Sequence, residues 1–316
     1  MRYVIEKEHE GMLLRTYLCE VIGLSRRHLT HLKQTEDGML LNGRHVTVRA
    51  VLHGGDELCL NEQETENEHI LPRGDMPPVL FEDGELLVCN KSGRMPTHPS
   101  IGHFDDTLAN ALAAYDLARE GRTRVFRPIT RLDRETSGAV LIARTPLAAT
   151  KLSEQMRERR IVKTYLAILE GVPKPCAGQV EAAIRRKSES IILREICDEG
   201  VEGAQYALTH YCVLATWQHG DGRRSLVKAV PTTGRTHQLR LHFAHLGTPI
   251  VGDGLYGVPA PDAARQCLHA YTLAFPHPLT GKELTLCAPL HEDMARLLPE
   301  GALALLTTPQ VQTEGD

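Results

Sequence analysis

Apolar positions change period twice within the first sixty residues. Leu13, Leu14, Tyr17, Leu18 and Val21 recur at the spacing of one helix face. Ser25 stands where an N-cap belongs, ahead of a second helix carrying Leu29 and Leu32. The run Met39 to Val46 contains Asn42-Gly43 between apolar residues and predicts a hairpin, because both turn residues tolerate positive φ. Gly54-Gly55-Asp56 predicts another turn, leading into a short strand over Glu57–Leu60. Residues 61–78 lose the pattern: five acids, one base and three prolines read as a solvated linker. From Val79 the apolar runs return. Val79–Phe81 and Leu86–Asn90 flank Asp83-Gly84 as a hairpin. Leu108, Leu112, Tyr115 and Leu117 mark a helix over 106–119, and a second helix covers 146–157. Ala139–Ala143, Thr164–Leu169 and Ser225–Val230 read as strands. Strands outnumber helices without regular alternation. The expectation is therefore an α+β fold, a mainly antiparallel mixed sheet with flanking helices, preceded by a small α+β domain. The predicted division is 1–60, a linker at 61–78, a large domain at 79–305 and a disordered tail at 306–316.

Composition narrows the class. At 316 residues the chain is long enough for one large domain or two smaller ones, each with its own core. No run of 18 apolar residues exists, so no membrane helix is expected. The start of the chain lacks the apolar stretch of a secretion signal. The eight cysteines are scattered and none forms C-x-x-C, so they read as reduced thiols of a cytoplasmic protein. A net charge of −4 excludes a globally cationic protein. Charge is uneven, however. Residues 119–160 hold 11 Lys/Arg against 5 Asp/Glu, and residues 222–252 hold 5 Lys/Arg, three His and no acid. Two such stretches predict a local anion-binding surface, with a solvated, salt-bridged face as the alternative. Aromatic residues are only 4% of the chain, which argues against broad base-stacking platforms.

Two segments concentrate candidate chemistry. In Arg131-Leu132-Asp133-Arg134, followed by Thr136-Ser137-Gly138 and an apolar strand, a carboxylate lies between two arginines. Neighbouring cations favour the ionised form of a carboxylate, which suits a nucleophile or base; a surface salt bridge would have the same local sequence. In Gly234-Arg235-Thr236-His237-Gln238-Leu239-Arg240, a glycine turn leads into cations with no opposing carboxylate for a dozen residues, a pattern suited to phosphate contact. His242 and His245 could suggest a metal, but H-E-x-x-H is absent, and satisfied structural histidines are the preferred reading.

These motifs, with Lys163-x-Tyr165-x-Ala167-x-x-x-Gly171, Gly247-x-Pro249-Ile250-x-Gly252-Asp253-x-x-Tyr256-Gly257, Leu268-His269-Ala270 and Phe275-Pro276-His277-Pro278, follow in order through residues 79 to about 292. The chain there resembles pseudouridine synthases of the RluA type. Residues 11–60 resemble, over a shorter pattern, the small RNA-binding domain of a ribosomal small-subunit protein. Thr130 stands where the family usually has His, and Ser92 where it usually has Pro.

The resemblance implies isomerisation of uridines in structured RNA to pseudouridine, without metal, membrane or small-molecule cofactor, by a cytoplasmic monomer. It implies Asp133 as the essential aspartate, Arg240 as its paired cation and Tyr165 as the tyrosine that packs on the target base. Arg131 takes the place of the extruded nucleotide, while Arg235 and His237 contact phosphate or shape the pocket. Arg26, Arg27 and Lys33, with His28 and His31, would form the basic helix face of the small domain. Large-subunit ribosomal RNA is the favoured substrate and transfer RNA the other. An inactive RNA-binding ribosome-assembly factor is the alternative. A metal-dependent nuclease would need clustered acids, which the sequence does not show.

Overall fold

The computed structural model describes residues 2–61, 70–188, 190–258 and 260–306, without the side chains of Arg27, Leu303 and Leu305. The acidic half of the expected linker, residues 62–69, and nearly all of the expected tail, from 307 onward, lie outside the described residues.

The N-terminal unit forms as its sequence pattern suggests, with one added strand. Leu14–Thr16 runs into a wider helical turn over Tyr17–Val21, and the second helix spans Arg26–Gln34. Ser25 caps that second helix by accepting a hydrogen bond from His28 N at 3.2 Å. Asn42 and Gly43 sit at φ 52° and 75° and turn Met39–Leu41 back onto Arg44–His45. Glu57–Leu60 pairs with Met39–Leu41 on one side and with Arg2–Val4 on the other. Leu14, Leu18, Leu32, Leu58 and Leu60 fill the core, while Leu13 and Val21 stay exposed. His28 is 5% exposed and belongs to the packed side of its helix, which corrects its expected place on the basic face.

The unit is docked. Leu147, at the start of the helix Pro146–Arg157 in the large domain, is buried among the N-terminal core residues. The visible half of the expected linker is also held. Asn110 Nδ2 donates to Leu71 O at 2.9 Å, Arg73 N donates to Asn110 O at 3.2 Å, and Arg73 pairs with Asp105.

The large domain is built on a ten-stranded sheet. Its main path runs Ala177–Glu181, Leu208–His219, Gly222–Pro231, Val162–Glu170, Leu268–Pro276, Ser137–Ala143, Leu86–Lys91, Val79–Glu82. Every strand pairing in this sheet is antiparallel except one, between Leu268–Pro276 and Ser137–Ala143. The central strand Ser137–Ala143 is buried throughout, on both faces, which explains its continuous apolar run. The helix Leu108–Glu120 carries a capping box from Thr107 and Asn110. Its buried residues are Leu108, Leu112, three alanines, Asn110 and Asp116, whereas Leu117, expected on the apolar side, is 45% exposed.

The parallel seam depends on Gly138. It adopts φ 114°, and a Cβ there would lie 2.2 Å from Ala270 O. No side chain fits between the two backbones. Gly138→Ala is therefore expected to destabilise the protein by about 2 kcal/mol or more, read as a lowered denaturant midpoint; an unchanged midpoint would show that the seam opens at no cost.

Candidate active site

The large domain carries a cleft of about 1050 Å³. It is lined by the Arg131–Arg134 loop, Lys163 and Tyr165 from the strand Val162–Glu170, and the Gly234–Arg240 segment. Three regions far apart in sequence thus supply Asp133, Tyr165 and Arg240 to one cavity.

The loop bearing Asp133 is held from behind. Thr130, buried in the position where the family usually has His, accepts a hydrogen bond from Leu141 N at 2.9 Å. Thr97 Oγ1 donates to Leu132 O at 3.0 Å. Lys91 is fully buried, and its ammonium donates to the carbonyls of Ser92, Met95 and Arg134 at 2.9, 2.8 and 3.2 Å. Burial, with Arg265 nearby, pulls Lys91 down to about 7. Arg265 donates to Glu135 O at 2.9 Å and Ser137 Oγ at 2.8 Å, and its other edge is gripped by both oxygens of Asp293. Gly93 lies flat against this guanidinium; a Cβ there would be 2.2 Å from Arg265 Nε. Gln266 Nε2 donates to Thr136 Oγ1 at 2.7 Å. The Thr-Ser-Gly sequence is thus an attachment point for the back of the loop.

Asp133 faces the cleft with its side chain 30% exposed. Its sequence neighbours are not the cations it meets. Arg134 pairs with Glu135 at 3.2 Å, and Arg131 is exposed on the cleft wall. The partners of Asp133 Oδ2 are Arg240 Nη1 at 3.5 Å and His237 Nε2 at 3.9 Å.

Arg240 in turn has a stronger partner than Asp133. Its Nε and Nη2 meet Asp253 Oδ2 and Oδ1, each at 2.7 Å, leaving Nη1 directed at Asp133. Asp253 is 1% exposed and also accepts from Leu255 N at 2.9 Å and Tyr256 N at 3.2 Å. Burial works against the Asp253 carboxylate, but the Arg240 hydrogen bonds and charge outweigh it and hold the group below its ordinary value. Arg240 lies over the Tyr256 ring at 5.1 Å, and Tyr256 OH is 2.7 Å from His237 Nδ1. Local spacing alone suits the segment to phosphate contact, but Arg240 meets carboxylates instead, because the helix Gln238–His245 and the turn after it return Asp253 to the same place.

Other candidates separate. Tyr165 is partly buried beside Asp133, and both burial and that negative charge raise its hydroxyl above the ordinary value. His237 holds a left-handed backbone at φ 58°; burial lowers its imidazole, with Asp133 acting in the opposite sense. Arg235 is exposed on the cleft wall with Nε donating to Tyr206 O at 3.0 Å. Gln238 pins this segment, accepting from Thr233 Oγ1 and Arg235 N and donating to Leu208 O and Thr209 Oγ1. His242 is a core residue, bonded to Thr209 Oγ1 at 2.9 Å and close to Ala182 O at 3.4 Å, while His245 is exposed. In the N-terminal unit, Arg26 and Lys33 are exposed and share a surface hollow of about 400 Å³ with Arg15 and Thr30. The side chain of Arg27 lies outside the described residues.

Several cations of the two basic stretches are internal. Arg144 pairs with Asp116, and Arg224 with Glu170 and Asp262. Those left at the cleft include Arg131, Arg134, Arg157 and Arg159. Sequence reasoning missed Asp253, Tyr256, Lys91 and Arg265 as parts of the site. Asp253 and Tyr256 had a signal, their place in the Gly-Asp-x-x-Tyr-Gly pattern, but nothing local linked them to Arg240.

Comparison with known proteins matches the geometry. Residues 85–245 match the RNA pseudouridylate synthase family. An uncharacterised RNA pseudouridine synthase of Bacillus subtilis is 35% identical over 288 residues, 91% of this chain and 98% of that one. Ribosomal large subunit pseudouridine synthase D of Xanthomonas campestris is 35% identical over 290 residues, covering 87% of this chain and 84% of that protein. The structure of human RNA pseudouridylate synthase domain containing 4 superposes with a TM-score of 0.58 at 26% identity, covering 72% of this chain and 92% of that one. The chain belongs to the RNA pseudouridine synthase family and is an intramolecular isomerase.

Proposed function

We propose that this enzyme isomerises uridines in large-subunit ribosomal RNA, with Asp133 as the reacting carboxylate. The observation that carries the reading is the meeting of Asp133, Tyr165 and Arg240 in one cleft whose wall also bears the exposed Arg131. The relative named for the large ribosomal subunit and the basic hollow of the N-terminal unit support that substrate over transfer RNA.

The reaction breaks the bond from uracil nitrogen 1 to the sugar, turns the base, and joins carbon 5 to the same sugar carbon; the carbon-5 proton leaves and nitrogen 1 gains one. Three routes are open to the carboxylate: attack on the sugar carbon, attack on the base, or removal of a sugar proton. Each requires an anion aimed at the nucleoside. Arg240, its plane set by Asp253, orients that anion. Tyr165 packs on the uracil, and Arg131 fills the space the nucleotide leaves when it is drawn out of the stack. Arg235 and His237 shape the pocket or meet phosphate. Arg26, Arg27 and Lys33 contact phosphates away from the reaction.

Asp133→Asn is expected to fold and bind RNA but to lose tritium release from carbon-5-labelled uridine almost completely, since the amide keeps the shape and removes the anion. Turnover near the wild-type rate would displace Asp133 from its role, and a wild-type protein that releases no tritium would favour the inactive assembly factor.

Arg240→Lys keeps the charge and loses the fork that meets Asp253 and Asp133 together. A fall in kcat of about 100-fold, with RNA affinity nearly unchanged, is expected in single-turnover assays. The reverse pattern would make Arg240 a phosphate contact.

A chain starting at residue 70, carrying Leu147→Gln to remove the apolar spot left uncovered, should fold and react. Its rate at saturating RNA should fall by less than about tenfold, under ~1.4 kcal/mol of barrier. Its log-affinity should depend less steeply on log-salt, because phosphate contacts are lost. An unchanged slope would remove the N-terminal unit from the RNA interface.

A further inference from the structure

Between the strand ending at Lys91 and the helix Leu108–Glu120, residues 98–106 build a small hairpin on the rim of the cleft. Ser100 and His103 exchange both backbone hydrogen bonds, at 2.8 and 2.9 Å. Ile101 and Gly102 form the two-residue tip, with Gly102 at φ 82°. His98 and Ser100 line the cleft itself. The hairpin is tied to the catalytic loop: His103 Nδ1 meets Asp106 Oδ2 at 2.7 Å, and its Nε2 lies 3.3 Å from Arg134 Nη1, one residue from Asp133.

The hairpin displays two large apolar side chains to water, one at its tip and one just after its second strand. Ile101 is 96% exposed and Phe104 69%, the most exposed aliphatic and aromatic side chains among the described residues. The chain has only five phenylalanines, one tryptophan and eight tyrosines, and Phe104, on the hairpin whose His98 and Ser100 line the cleft, is the ring most open to water among the described residues. Two exposed cations, Arg131 and Arg134, stand nearby on the catalytic loop. Apolar faces beside cations complement one ligand chemistry in particular, a phosphate chain bearing bases. Drawing one nucleotide out of a stack leaves its neighbours with uncovered faces, and a ring or branched side chain can cover a base of any sequence.

We propose that Ile101 and Phe104 contact the unstacked nucleobases flanking the target uridine, so that the rim hairpin helps decide which RNA loops the enzyme accepts. The proposal rests on the RNA-isomerase reading of the neighbouring cleft and adds to it a contact outside the reacting residues.

The test uses the full chain and total RNA labelled with tritium at uridine carbon 5, taken from cells lacking this protein. Ile101→Ser/Phe104→Ser is compared with the wild type in single-turnover tritium release across RNA and salt concentrations. Both side chains are exposed, so the thermal unfolding midpoint should not move. The double variant is expected to need about tenfold more RNA for half-saturation, equivalent to ~1.4 kcal/mol, with the rate at saturation within about threefold of wild type. The slope of log-affinity against log-salt should be unchanged, because no phosphate contact is removed. Phe104→Trp should retain wild-type half-saturation. An unchanged RNA dependence overturns the proposal and leaves the tip to a protein partner; a shallower salt slope, or equal losses in Phe104→Trp, overturns the stacking contact. Absence of tritium release from the wild type instead defeats the parent reading, and the two failures are read in separate arms.

Discussion

Two strands distant in sequence, Ser137–Ala143 and Leu268–Pro276, run parallel at the middle of the sheet, and their backbones approach so closely at Gly138 and Ala270 that no Cβ fits. The seam joins two halves that are otherwise antiparallel. It also brings Arg265, Gln266 and His269 against the end of the Asp133 loop. Ser137 Oγ is 2.8 Å from both His269 Nδ1 and Arg265 Nη2. The loop therefore has little freedom on the side away from the cleft, and the carboxylate is presented by a backbone whose carbonyls are held by Lys91, Thr97 and Arg265. Positioning of this kind lowers a barrier by ordering the reacting group before substrate arrives.

The charges of the site form a nested arrangement. Arg240 is buried, and a buried guanidinium is tolerable only with close acceptors. Asp253 supplies two of them and is itself satisfied by two backbone N–H groups. What remains of the guanidinium, Nη1, faces the more exposed Asp133 at a longer distance. On the proposed reading of Asp133 the division has a chemical use. A carboxylate locked in a bidentate pair is a poor nucleophile, whereas one steered by a single, longer contact keeps an oxygen free to react. Tyr256 completes the frame from beneath, through its ring to Arg240 and its hydroxyl to His237.

The helix Pro146–Arg157 links this site to the N-terminal unit. Leu147 near its first turn is buried in the small domain, while Met156 and Arg157 near its last turn line the cleft. At 1.5 Å per residue the two ends are roughly 15 Å apart. The core of the small domain and the wall of the cleft thus share one helix.

The small domain's helices and hairpin, the capped helices of the large domain and the α+β class were all legible in the sequence, because periodicity, caps and turn residues act over a few positions. The Asp133 loop was legible as well, since its motif is continuous. The charge partners were not legible from local spacing. Arg131 and Arg134 adjoin Asp133 in the chain, and only the family resemblance implied Arg240 as its partner, while Asp253, the main partner of Arg240, was missed altogether. His28 turned inward and Leu117 outward although both sit on well-predicted helices, because a helix's periodicity does not say what the neighbouring sheet or domain will cover. With 36 cations and 40 acids in the chain, local sequence leaves many pairings open. The sheet order and the parallel seam chose among them, since a charge finds its partner through space and only the packed backbone decides which residues approach to hydrogen-bonding distance.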